Sequence, residues 1–250
     1  MKKSLPSLAI VTVLVGSSGA AFGGVLTSDN FNYIGALTDN GWTAHSGAGN
    51  KVIMANGAFA TLDQSSGSGE DINLGFGPLG AADTVYAAFD LMVVTADLSG
   101  LDGNGLYLAH FMDAGFAFRA RTGVVQAPGG GDFGLAINAD NSNLGAGATW
   151  ASDLTFDTWY RVVISWDAGT GVSELWLNPT LETDPSISHT GSFTGDLMAG
   201  FALRQSNDYT GSQGIDNVIV GTTFGDVIPA PGALALLGLA GLAGTRRRRR

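Results

Sequence analysis

The chain is 250 residues long, has no cysteine and carries a formal net charge of −10. The absence of thiols excludes disulfide staples, thiol catalysis and thiolate metal sites. Between Asp29 and Asp226 only five basic side chains (Lys51, Arg119, Arg121, Arg161, Arg204) face twenty-two acidic ones, a charge of −17 that repels nucleic acid and anionic lipid but suits neutral glycans and divalent cations.

In chain order, Lys2 and Lys3 precede an apolar stretch from Leu8 to Val15 and small residues from Gly16 to Ala21. That order of charge, apolar core and small residues predicts a secretory signal over 1–23. Cleavage after Gly23 would use Ala21 and Gly23 as the small pair, with Ser18 and Ala20 as the alternative.

From Gly24 to Asp226 apolar residues recur with period two, and Gly, Asn, Asp, Ser and Thr fill the intervals. This pattern predicts about a dozen strands joined by turns, with no amphipathic helix. Asp83 to Thr95 reads as a long strand with Val85, Ala87, Phe89, Leu91 and Val93 on one face. Over Gly115 to Thr122, Phe116, Phe118 and Ala120 are expected on one face and Ala117, Arg119 and Arg121 on the other. Phe133, Leu135 and Ile137 mark a further core-facing strand. Thr158 to Leu177 predicts a β-hairpin: Tyr160, Val162, Ile164 and Trp166 alternate, Asp167 to Gly171 form a five-residue loop, and Val172 to Leu177 return. Ala199 to Arg204 and Ile215 to Gly221 supply late strands. So many half-apolar strands need two sheets to cover each other, which gives an all-β, antiparallel two-sheet sandwich for residues 24–226.

The segments from Tyr107 to Asp113, Phe118 to Arg121, Trp159 to Val163, Leu175 to Pro179 and Ile215 to Gly221 resemble the laminin-G-like branch of the concanavalin A-like jelly rolls. The resemblance implies the fold and is compatible with glycan binding, but its motifs are structural and imply no activity.

Residues 227–250 read differently. Pro229, Ala230 and Pro231 lead into an Ala/Leu/Gly run over Gly232 to Gly244, and Arg246, Arg247, Arg248, Arg249 and Arg250 follow Thr245. A helix over that run would be about 20 Å long at ~1.5 Å per residue, against ~30 Å for a bilayer core, and the prolines prevent its extension backward. The arginines would stay on the cytoplasmic side, so the tail implies a transient membrane contact. Proline pair, short apolar run and basic cluster resemble the PEP-CTERM sorting signal. That resemblance implies an exosortase-like transpeptidase as partner and a cell-surface or extracellular destination. Ala230 stands where the family usually has Glu, which leaves the usual enzyme and a variant sorting system as two readings.

Chemistry is sparse. The jelly-roll glucanases carry a Glu-x-Asp-x-x-Glu strand motif, absent here, and of Glu70, Glu174 and Glu182 only Glu174, beside Trp176, is a candidate acid. His45, His110 and His189 lack ligand spacing, so no zinc site is expected. Asp102, Asn104, Asp140, Asp208 and Asp216 offer loop oxygens suited to calcium, which ordinary Asx turns would also explain. Trp42, Trp150, Trp159, Trp176 and Tyr209 are the aromatics able to stack on sugar rings. The sequence therefore favours a non-catalytic exported cell-surface or extracellular-matrix module that contributes to a surface matrix or a polysaccharide contact, with a divergent glycoside hydrolase or lyase and a calcium-dependent adhesion module as alternatives.

Overall fold

The computed structural model describes residues 24–65, 67–206 and 210–228. The expected signal segment, Asp208, Tyr209 and the sorting tail from Pro229 onward lie outside the described residues. Strands β1 to β6 are Val25–Asp29, Ile34–Ala36, Thr43–Ser46, Met54–Asn56, Ala60–Asp63 and Asp71–Gly75. Then come β7 (Thr84–Val93), β8 (Leu106–Asp113), β9 (Phe118–Val125), β10 (Gly134–Asn138) and β11 (Ala148–Thr149). The hairpin pair β12 (Trp159–Asp167) and β13 (Val172–Leu177) is followed by β14 (Ser186–Thr190), β15 (Met198–Leu203) and β16 (Ser212–Gly221), and one helical turn, α1 (Phe224–Val227), ends the described chain.

The strands form two antiparallel sheets. The nine-stranded sheet runs β14-β13-β12-β7-β16-β5-β4-β2, with β1 also against β16, and the seven-stranded sheet runs β11-β10-β9-β8-β15-β6-β3. Between them lies an apolar layer that includes Phe89, Phe111, Phe201 and Trp166, all fully buried. Phe201 packs on both Phe89 and Phe111, with ring centroids 5.7 and 6.1 Å apart, so rings from both sheets meet at the centre.

The long strand β7 follows its expected alternation, with Val85, Ala87, Phe89, Leu91 and Val93 all in the core layer. In the β12–β13 hairpin Asp167 pairs with Val172, so the loop is four residues, 168–171, one fewer than expected. The Asp167 carbonyl accepts the Gly171 N–H at 2.8 Å, and Gly171 adopts φ +72°, a conformation that glycine reaches without strain.

Strand β9 departs from the simple alternation expected over Gly115 to Thr122. Phe116 sits in the preceding turn with φ 65°, and Ala120 adopts φ 52° within the strand. The extra residue of this bulge turns both Arg119 and Ala120 toward the sandwich interior and leaves Phe118 with Arg121 on the outer face. The pairing of β8 with β9 shifts register at the same level. Here the partner strands come unusually close, for a Cβ at Gly123 would fall 2.0 Å from the Leu106 carbonyl oxygen and 2.7 Å from the Tyr107 Cα. Gly123→Ala must force these strands apart and is expected to cost about 1–3 kcal/mol or more. Gly77→Ala, which would meet nothing within 4 Å, serves as the near-neutral control in urea melts.

Candidate functional site

The two outer faces are occupied differently. On the nine-stranded sheet, Trp176, Ala88 and Val163 form a second apolar cluster that Phe224 and Val227 cover, with Tyr86, Ile219 and Ile228 packed against it. The described chain packs on this face as far as Ile228. Arg161 fixes this segment, its guanidinium donating to the carbonyls of Asn217 at 2.8 Å and Val227 at 3.2 Å while pairing with Asp90 at 3.2 Å.

The outer face of the seven-stranded sheet carries a polar and aromatic cluster instead. Two guanidinium groups approach the Tyr107 ring, that of Arg204 at 4.4 Å and that of Arg121 at 5.1 Å from its centroid. His110 packs on Phe118 at 4.3 Å and edge-on to Tyr107 at 5.5 Å. His45 reaches the same cluster, 5.9 Å from Phe118 and 6.2 Å from His110. Burial holds the His110 imidazole well below its ordinary proton affinity, and nearby His45, Arg121 and Arg204 push the same way. Burial likewise lowers His45.

Cavities flank this cluster on both sides. One of about 560 Å³ is lined by Asp102, Asn104, Tyr107, Ser142, Asn143 and Arg204. Its wall is shaped by two loops locked together, for the Leu144 N–H donates to the Asn104 carbonyl at 2.7 Å. Asn104 returns both its backbone and its side-chain N–H to the Asp102 carboxylate, each at 2.8 Å. Every Asp102 oxygen therefore keeps a lone pair for a ligand hydroxyl. The other cavity, about 250 Å³, is lined by His45, Asn73, Met112, Asp113 and Phe116 among others.

The residues singled out from sequence are dispersed. Trp42 is 3% exposed, stacks on Phe31 and donates its indole N–H to Asp29 at 2.8 Å. Trp176, 1% exposed, lies beneath Phe224 and donates to the Glu182 carbonyl at 3.1 Å, so neither ring offers a face to a sugar. Trp150 is partly buried and packs on the core. Trp159, 41% exposed, is the one indole of this set with a large open surface; it stands on the nine-stranded sheet against Phe59.

The oxygen ligands proposed for calcium do not converge either. Asp102 and Asn104 share the larger cavity, whereas Asp140 turns its carboxylate to the Ser192 N–H and Asp216 lies on the other sheet beside Asp90. Desolvation and the Asp90 carboxylate raise Asp216 above the usual carboxylate range. Among the described residues no group of three or more His, Asp or Glu side chains is placed to hold a metal.

Glu174 has one carboxylate neighbour across the hairpin, Asp167. Asp167 pairs with Val172 while Glu174 pairs with Ser165, which makes the two acids diagonal neighbours, about 7–8 Å apart, on one face. Asp90 is four residues along the strand from the row of Glu174, about 13 Å, and two strands away, beyond the ~9.5 Å limit for a glycosidic acid pair. Neither the cavity of about 560 Å³ nor that of about 250 Å³ is lined by Glu174 or Asp167. Instead, Tyr86 donates its hydroxyl to Glu182 at 2.7 Å beside them, and burial together with these carboxylates raises its proton affinity.

No protein-family model matches the chain, and no curated protein does. Solved structures do. A sialidase aligns with TM-score 0.52 at 11% identity over 82% of this chain, which spans only 19% of the sialidase. Basic winged bean lectin, solved with Tn-antigen, aligns with TM-score 0.47 at 13% identity over 78% of this chain and 97% of the lectin. The exoplasmic/lumenal domain of VIP36, in its Ca2+/Man-bound form, aligns with TM-score 0.45 at 11% identity over 74% of this chain and 84% of that domain. At these identities the likeness shows the fold alone, a sandwich of two antiparallel sheets.

The cover over Trp176 yields a direct test. Phe224→Ala removes the ring packed 5.4 Å from the indole and should destabilise the domain by about 3 kcal/mol. It should also shift tryptophan emission to the red and raise iodide quenching, whereas a tail that merely lies loose on the sheet would leave both unchanged.

Proposed function

We propose that the protein is a non-catalytic, exported saccharide-binding module, held at or released from the cell envelope through its C-terminal tail. The observation that carries the binding reading is the cavity of about 560 Å³. Its wall sets a carboxylate, amides, a hydroxyl, a guanidinium and a phenol side by side, the mixed donors and acceptors that a ring of sugar hydroxyls requires. Its size suits one or two sugar rings. The export reading rests on Lys2, Lys3 and the apolar stretch behind them, and the sorting reading on Pro229, Pro231, the apolar run and the terminal arginines. No helix among the described residues is long and apolar enough to cross a membrane.

A second reading rests on Trp159, whose open indole on the opposite face could stack on a sugar. A glycan array with the purified 24–228 segment distinguishes the two. We expect Asp102→Asn, which keeps the turn but removes the charge, to weaken retention about tenfold, as loss of a charge-assisted hydrogen bond does. Trp159→Ala should leave it unchanged. The reverse pattern would move the site to the nine-stranded sheet, and an array empty for the folded parent would sink the binding reading. Chelation should not alter retention, because among the described residues Asp102 is the one carboxylate in the cavity wall.

The tail reading has its own test. Mass spectrometry of the surface-retained protein should find a C-terminus cut upstream of Arg246, and replacing Pro229 and Pro231 should abolish that cut. An intact arginine block on the mature protein would refute sorting by cleavage.

A further inference from the structure

We infer that His45 and His110 form a two-imidazole site for monovalent copper, with the Met112 thioether as third donor. The inference is independent of the saccharide cavity. It begins from an unpaid hydrogen-bond account: neither ring nitrogen of His110, which is 0% exposed, has a partner among the described residues, and neither has the Nδ1 of His45. Of the eight buried side-chain atoms without a partner among those residues, three belong to this one histidine pair. Buried polar atoms are seldom left so, and a concentration of them points to a missing ligand.

The ring geometry admits a shared ion. Two imidazoles on one metal, each at about 2.0–2.1 Å from nitrogen, have centroids at most about 6.4 Å apart. Those of His45 and His110 are 6.2 Å apart, at an interplanar angle of 89°.

The surroundings select the ion. His45 and Met112 line the same cavity of about 250 Å³, which gives an entry path and puts a residue with a soft sulfur donor on the wall that His45 shares. Thioether and imidazole donors together favour Cu(I), whereas zinc in protein sites takes four ligands and calcium takes oxygens. The guanidinium groups of Arg121 and Arg204 stand close enough to lower the proton affinity of His110, and they penalise a divalent ion more than a monovalent one. Phe116, 57% exposed, and Phe118 wall the site with apolar surface, which suits a low-charge, low-coordination ion.

The test is an anaerobic competition between the apo-protein and a chromogenic Cu(I) chelator, read at neutral pH. One equivalent of Cu(I) should move to the protein, and X-ray absorption at the copper edge should show nitrogen scatterers with one sulfur. Silver(I), a redox-inert stand-in, should shift the ring resonances of His45 and His110 and leave those of His189, whose Nδ1 already accepts the Ala139 N–H at 3.1 Å. His45→Ala should abolish binding, and Met112→Leu should weaken it at least tenfold. His45 is only half-buried, so His45→Ala keeps the test usable if His110→Phe does not fold. A parent protein that melts cooperatively yet leaves all Cu(I) with the chelator would overturn the inference. So would Cu(I) binding that survives His45→Ala.

Discussion

With no cysteine to bridge them, the two sheets are held by the apolar layer between them, and every exposed feature of the molecule depends on that contact. Phe201 meets Phe89 and Phe111 at its centre, and Trp166 closes it beside the β12–β13 hairpin. Burying one such ring contributes about 1.5–3 kcal/mol, so the layer must remain continuous across many strands to offset the ordering of the chain. One consequence is a division of labour. Inner faces are committed to packing, and whatever the protein binds must be bound on outer faces or by the loops that join them.

Strand identity was legible because it rests on period two, and β7 shows how completely: five alternate residues, Val85 to Val93, reach the core as the pattern requires. The candidate site was not legible, because it depends on departures from that period. Ala120 takes a positive φ inside β9, and nothing in an alanine announces this. The bulge it makes separates Arg119, which pairs with Asp196 at 2.6 Å, from Arg121, which reaches Tyr107 instead. The histidines were hidden for a different reason. His45 on β3 and His110 on β8 are 65 positions apart in sequence and three strands apart in the sheet, and they meet only because Ala202, opposite His110, and Gly200, opposite Met112, leave room above β15. Spacing rules for ligands within one strand or helix do not detect such a pair.

Charge shows the same logic of scarcity. In a domain of −17, Lys51, Arg119 and Arg161 form ion pairs with Asp63, Asp196 and Asp90. Arg161 does more than pair. By donating to the carbonyls of Asn217 and Val227 it ties a bulge of β16 to the turn α1. Arg121 and Arg204 are gathered on the Tyr107 ring. Burial lowers the proton affinity of Arg121, and the neighbouring Arg119 and Arg204 lower it further. Two cations are thus concentrated at the one outer face where the surrounding acidic surface would otherwise make the field uniformly negative.

The position of α1 orients the molecule. Phe224, Val227 and Ile228 pack on the outer face of the nine-stranded sheet, so the described chain ends on that face. The two cavities and the histidine pair lie on the outer face of the seven-stranded sheet, with the whole thickness of the sandwich between. A sandwich of two sheets is about 10 Å deep between backbones before side chains are counted. If the residues after Ile228 hold the protein to an envelope, the nine-stranded sheet faces that envelope and the seven-stranded sheet faces away. Trp159, on the nine-stranded sheet with Arg161 and α1, would then lie on the inward side. Tethering through the tail and binding through the cavity are for this reason mutually compatible, whereas tethering and binding through Trp159 would compete for one face.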